Sequence, residues 1–369
     1  MRAGLLVLSG YNIRAVVALC RWARAAGVHV HAVARNAEDP LYLTDYAGCV
    51  FAERTSPALD AGETAGWVAG LRAQHGYDAV VIAPSTEYFN RFLLQHRTAI
   101  ESEGGIIPLV DAALYAQVSD KHAFAALCRA HGIAVPGEWS EMPDTLPFVA
   151  KPRYYGASTS GQVKPYLVMT PAQRDGFLAR EDRTRYFYQE FVEGESLYLL
   201  AHLSCDGTVT ACAQENLVQQ AAGGSMILAR RHGFHLEPDA KPYIALLQAI
   251  GFHGLIMIEV RRCLRTGRPV MIEANPRMWG PMQFTLDQRV DLFAPLLADH
   301  GVPVAAVRFA DAPGSHYFWS GGLSRDAQPY TFHNFSSERL RDEYAAIATS
   351  DLFLRDDSRR LHAHELTLA

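Results

Sequence analysis

The stretch "VMIEANPRMWG", residues 270–280, decides how the rest of the chain is read. A run of strand-forming residues leads into Glu273, Ala274 and Asn275, and Pro276 and Arg277 close it. Alternation along a strand puts Glu273 and Asn275 on one face. A carboxylate set against a core is costly unless a cation or a full set of hydrogen bonds meets it. For the tripeptide alone, an exposed strand end closing in a turn is the simpler account.

Working outward, "LIMIEV" (255–260) and "PVMIEAN" (269–275) flank the turn-rich "RRCLRTGR" and read as a hairpin. With Arg265, Thr266 and Gly267 as a three-residue loop, Glu259 falls opposite Glu273, and Gly267 suits the left-handed position of such a loop. A two-residue loop would send Glu259 to the far face. In the first case two carboxylates and an amide converge, and like charges face to face need a cation between them. Oxygen donors of this kind suit magnesium better than zinc, and magnesium with few protein ligands usually also holds substrate phosphates. A surface hairpin with two solvated acids is an equal alternative at this point.

A phosphate site is available upstream. "FVAKPRYYGASTSGQVK" (148–164) sets Lys151 at the end of an apolar strand, with Gly156, Ser158, Ser160 and Gly161 just beyond. Small residues let backbone N–H groups approach phosphate oxygens, and serine adds hydroxyl donors. The order of lysine and glycines is not that of the P-loop. "YFYQEFVEGES" (186–196) offers Gln189 to Val192 as a hinge whose backbone could read a flat base. Taken singly, each is equally an ordinary strand and turn.

The wider chain sets bounds. At 369 residues, two or three domains are expected. A net charge of −5 argues against a general nucleic-acid binder. The six cysteines include no C-x-x-C pair, so neither a disulfide framework nor a zinc site is expected, and a reducing cytoplasm is. The strand-like start leaves no room for a signal peptide, and no apolar run is long enough for a membrane span. "GLLVL", "VHVHAVA", "YDAVVIAP" and "GGIIPLV" read as strands, with "IRAVVALCRWARAAG" as a helix after the first. Alternating strands and helices predict a parallel α/β sheet. Its first turn lacks G-x-G-x-x-G, so dinucleotide binding loses support, but Asn12, Arg14, Ser85, Thr86 and Glu87 sit at the carboxyl edge where such sheets bind ligands. "DAALYAQVSDKHAFAALCRAHGIAVP" (111–136) predicts two helices, the second capped by Ser119 or Asp120. Strand and turn follow to about residue 232, then a helix over 238–250 and helical pattern over 281–300.

A helix-starting lysine, a strand lysine with a Gly/Ser loop, an E-F-V hinge and an E…E-x-N-P-R hairpin occur here in that order. In this order the chain resembles the ATP-grasp superfamily over roughly residues 1–300, "MIEANPR" being the most specific motif. The resemblance implies an α/β and α+β fold, a Rossmann-like N-terminal (pre-ATP-grasp) domain followed by a two-lobed ATP-grasp fold. The implied domains are 1–112 (N-terminal), 113–190 (first lobe), 191–305 (second lobe) and 306–369 (an extension without an assigned role). It further implies that Lys121 and Lys151 bind ATP phosphates and that Gly156, Ser158, Ser160 and Gly161 close over them. Gln189, Glu190 and Val192 would contact adenine. Glu259, Glu273 and Asn275 would hold Mg2+ (or Mn2+), and Arg277 would stabilise the transferring phosphoryl group. Many members carry a ribose-binding glutamate two residues after the hinge glycine. Ser196 stands there, next to Glu195, which leaves the ribose contact open between them.

The implied activity is an ATP-dependent carboxylate–amine ligase acting on small molecules through an acyl phosphate. Loading of a carrier-protein thiol and non-catalytic nucleotide binding remain alternatives. Expected partners are a small carboxylic acid and an amine, with no nucleic acid and no membrane, and a homodimer is possible. Arg230 and Arg231 could grip a carboxylate, although a solvated basic pair is the commoner explanation. The pairs His29/His31 and His362/His364 lack acidic or cysteine companions, so metal binding is not expected there.

Overall fold

The computed structural model describes residues 1–153, 165–305, 307, 309, 316–323 and 330–368. Five short apolar strands open the chain: β1 (Ala3–Leu8), β2 (Val30–Ala34), β3 (Val50–Glu53), β4 (Ala79–Ile82) and β5 (Gly105–Ile106). They form a parallel sheet in the order β3-β2-β1-β4-β5. Strand order reverses between β1 and β4, so the crevice beyond their carboxyl ends is the switch point where such sheets take ligands. The helix Ile13–Ala26 crosses from β1 to β2 and ends at Gly27, whose φ of 68° lets its N–H turn back to Ala23 and Arg24 carbonyls. β3 (VFAE) is only four residues long and half-buried, and is an addition to the strands expected.

The helices Ala112–Ser119 and Lys121–Ala130 fall where the pattern predicts. Asp120 caps the second, accepting from the N–H groups of His122 and Ala123, whereas the Ser119 hydroxyl instead accepts from Arg91. A four-stranded sheet follows, in the order β6 (Glu138–Trp139), β9 (Tyr186–Glu190), β7 (Phe148–Pro152), β8 (Tyr166–Val168). The helix Pro171–Arg180 lies in a region read from sequence as strand and turn. Its signal was present: Thr170 and Gln173 form a capping box, with Pro171 at the first helical position.

The third sheet carries β10 (Gly194–Leu203), β11 (Val209–Gln219), β12 (Met226–His232), β13 (Gly254–Cys263), β14 (Pro269–Asn275), β15 (His316–Phe318) and β16 (Thr331–Phe332). β15 pairs with β12 and β16 with β11, so residues beyond 306 supply strands to this sheet. One face packs Leu197, Leu199, Ile258 and Val260 into an apolar core. The other face is mixed. It buries Tyr198, Leu200 and Met257, and it also carries Ser196, Gln214, Asn216, Glu259 and Arg261. Among the described residues, no helix is long and apolar enough to cross a membrane.

Candidate active site

Glu259 and Glu273 are register partners across β13 and β14. The route to that register differs from the three-residue loop expected. The Cys263 N–H reaches the Arg268 carbonyl, which leaves a four-residue loop from Leu264 to Gly267. Such a loop alone would offset the pairing by one residue. A β-bulge offsets it back: Val260 pairs with Met271 while Glu259 pairs with Glu273, so Ile272 has no partner. Gly267 is left-handed, with φ 67°, as the loop requires.

The bulge serves a second purpose. The carbonyl of Ile272 accepts from Lys151 Nζ at 3.3 Å. Lys151 is buried at the end of β7, and burial, reinforced by Lys121, pushes its ammonium down to about 8. Lys121, the first residue of its helix, ion-pairs with Glu273 at 2.6 Å. Burial would raise the Glu273 carboxyl, but Lys121, Lys151 and a hydrogen bond from Asn275 outweigh it and hold the group at about 2. Glu259 goes the other way. Burial pushes it up, against Arg261, whose guanidinium lies 3.3 Å from its Oε1.

Asn275 donates to Glu273 Oε1 at 2.9 Å, and its Oδ1 accepts from Arg277 Nη2 at 2.9 Å. Arg277 also donates to the Met278 carbonyl at 3.2 Å, and its Nε is buried with no partner among the described residues. Lys121, Lys151, Glu259, Glu273, Asn275 and Arg277 are thus one linked set. Two facing carboxylates and an amide oxygen are hard donors that fit magnesium. Among the described residues, no three His, Cys, Asp or Glu side chains are grouped to hold a metal.

At the hinge, Gln189 lies on the Lys151 face of the four-stranded sheet, and its amide donates to Glu138 at 2.9 Å. The Glu190 N–H bonds the Gly137 carbonyl, and its carboxylate lies 3.3 Å from Arg265. Val192 is buried between β9 and β10. Gly156, Ser158, Ser160 and Gly161 lie outside the described residues. Glu195 does not join the set: alternation in β10 turns it to the face opposite Glu259, where it meets Arg262 at 3.1 Å and His232 at 3.6 Å. Ser196 is on the Glu259 face but fully buried, accepting from Asn216. Arg230 is half-exposed but not free, because it is bound to the buried Glu215.

Sequence reasoning missed two residues. Arg261 stands two positions after Glu259 and hence on its face, a signal that alternation carried. His333, just after β16, gave no signal. An arginine can only donate, so His333 Nδ1 accepts from Arg261 at 2.7 Å and Nε2–H donates to Gln219 at 3.1 Å. At the other edge, Asn12 donates to the carbonyls of Ser85 (3.1 Å) and Met278 (3.3 Å). Arg14 reaches Ser225, the Met226 carbonyl and Tyr317. Thr86 caps the helix Glu87–Gln95, and Glu87 binds Arg91 and Tyr115. The switch point therefore abuts the Arg277 turn.

No protein-family model and no curated protein matches the chain. Solved structures do. The biotin carboxylase domain of 2-oxoglutarate carboxylase from Hydrogenobacter thermophilus, complexed with MgADP, ADP and bicarbonate, is 11% identical. That match covers 84% of this chain and 72% of the other, with a TM-score of 0.59. N5-carboxyaminoimidazole ribonucleotide synthetase from Thermotoga maritima is 14% identical over 83% of this chain and 78% of that one, with a TM-score of 0.55. An ADP complex of a synthetase of the same name matches with the same identity and coverage and a TM-score of 0.60. These are ATP-grasp proteins, and the fold of the present chain is the ATP-grasp fold.

Proposed function

We propose that this protein is an ATP-dependent carboxylate–amine ligase, joining a small carboxylic acid, with amino acids the class to test first, to an amine. The observation that carries the reading is the linked set of Lys121, Lys151, Glu259, Glu273, Asn275 and Arg277. A free carboxylate is a poor electrophile because oxide is a poor leaving group. Its phosphorylation by ATP gives an acyl phosphate, which an amine can attack with loss of phosphate. The demand on the protein is to hold several negative charges together while water is kept out.

The residues suit that demand. Lys151, already desolvated and fixed by the Ile272 carbonyl, would bind phosphate oxygens, and Lys121 would join it by exchanging part of its pairing with Glu273. Gln189, Glu190 and Val192 would line the adenine. Glu259, Glu273 and the Asn275 amide oxygen would hold Mg2+ or Mn2+, whose contribution when bound is Lewis-acid neutralisation of phosphate charge. Arg277, with its free Nε and its place against the switch point, would balance charge on the group in transfer. The liganded neighbours, one with MgADP and bicarbonate, support a nucleotide and a small acid as the occupants of such a fold.

ADP release with mass spectrometry of products, against pooled amino acids and small acids with ATP and magnesium, tests this. Glu273→Gln runs beside it as a blank. An amide that tracks ADP release supports the ligase and names both substrates. A product mass that shows a thioester moves the acceptor to a carrier thiol. Failure of ATP or ADP to bind at all would sink the reading.

A further inference from the structure

Arg54, one residue past β3, is only 8% exposed. Among the described residues its guanidinium makes one hydrogen bond, Nη2 to the Ser9 carbonyl at 3.2 Å, and its Nε is buried without a partner. Among the described residues it has no ion pair. A desolvated cation without an anion is costly, and folds retain one only where something compensates.

Arg35, one residue past β2, stands beside it, also without an ion pair among the described residues. Gly10, at the end of β1, has φ 107°, a conformation that side chains rarely adopt. A Cβ there would lie 2.6 Å from Arg35 Cβ, 3.1 Å from Arg35 Cδ and 3.2 Å from Arg54 Nη2. The missing side chain is what admits both arginines to one spot. Tyr11 covers them, its ring 5.8 Å from the Arg35 guanidinium and 5.5 Å from that of Arg54, and it is 66% exposed. The buried carboxylate nearby, Asp39, is spent on the Ser9 hydroxyl (2.7 Å) and the N–H groups of Arg35 (2.8 Å) and Leu41 (3.0 Å). Two guanidinium groups gathered at one ring repel unless an anion offsets their charge, and their forked donors match oxyanions.

We propose that Tyr11, Arg35 and Arg54 form an oxyanion subsite, for a carboxylate or phosphate, at the carboxyl ends of β1, β2 and β3. The loop that carries Tyr11 continues at once to Asn12 on the Met278 carbonyl, next to Arg277. The subsite therefore holds an anionic group of the acid substrate remote from its reacting carboxylate. This assignment of the ligand rests on the ligase reading; the binding of an anion does not.

The test uses the full chain saturated with MgADP, so that the Lys121 and Lys151 positions are filled. Wild type, Arg54→Met and Arg35→Gln are titrated with inorganic phosphate and with malonate, by calorimetry and thermal shift. Saturable binding to wild type is expected, weakened about ten- to a hundredfold in each variant, with ADP affinity unchanged. Response to phosphate alone or to malonate alone identifies the group, and either supports the site. No anion binding to wild type, or undiminished binding in both variants, overturns it. The titration is repeated without nucleotide in Lys151→Ala. Failure of ADP binding then counts against the ligase alone.

Discussion

Arg21 and Arg54 are buried to the same degree, 7% and 8% exposed, and both belong to the N-terminal parallel sheet and its helices. Their surroundings have nothing in common. Arg21 holds both oxygens of Asp357, the Gln283 side chain, the Leu352 carbonyl and the Ser358 hydroxyl, so that every one of its nitrogens is used. Among the described residues Arg54 makes one hydrogen bond, to a carbonyl, and lies against the Tyr11 ring. Desolvation of each guanidinium is similar in kind, so the difference lies in what offsets it. The first arginine fastens the C-terminal residues to the first helix. The second is held ready for a group that arrives from solution. Burial alone therefore does not mark a structural charge; the partner set does.

Breaking the matched side should show most. Asp357→Ala leaves Arg21 buried and uncompensated, and about 3–5 kcal/mol of stability should go, read by denaturant unfolding. Burial raises the Asp357 carboxyl, but hydrogen bonds and charge from Arg21, with the Tyr46 hydroxyl, hold it well below the usual range. A carboxyl lowered on folding contributes stability that is full above its unfolded pKa, about 4, and fades as pH falls through the lowered folded value. Asp357→Ala should therefore flatten the acid limb of the stability–pH curve. In the linked set, Glu273→Gln should keep the fold by circular dichroism and cut turnover about 10²- to 10³-fold. Wild-type turnover there would show that its charges are structural, like those of Arg21.

Lys151→Ala should weaken ADP binding about ten- to a hundredfold in calorimetry. Because the Lys151 ammonium is lowered to about 8, its charge is present below that pH and lost above it. Wild-type ADP affinity should fall as pH rises through 8, and the variant should lack that slope. Arg54→Met should have the smallest effect on stability, from none to a gain of about 1 kcal/mol, since an apolar side chain replaces an unpaired charge. A loss as large as that of Asp357→Ala would erase the comparison.

Much of the fold was legible. The apolar runs of β1, β2 and β4, the helix caps and the hairpin carry local signals, and the order of Lys121, Lys151, Glu259, Glu273, Asn275 and Arg277 carried the resemblance that pointed to the ATP-grasp fold. The facing of Glu259 and Glu273 was read correctly from the wrong loop, because a bulge cancelled the error. Bulges leave little trace in residue type. Glu195 lies on the face opposite Glu259, because strand register beyond the hinge, not distance along the chain, sets its face. Arg54 was passed over for a different reason. Its significance is an absence of partners, and no single sequence reports which carboxylates a folded chain has already committed.

The compensation between loop and bulge bears on how this hairpin tolerates change in length. Deleting one residue from Leu264–Gly267 would let β14 pair without an extra residue, and the two strands would still place Glu259 opposite Glu273. Ile272 would then take Val260 as its partner, and its carbonyl would move from the place where it now accepts from Lys151 Nζ at 3.3 Å. A shortened, better-paired hairpin would then be a poorer holder of its lysine. The length of this exposed tip is thus tied to the position of a lysine on the neighbouring sheet.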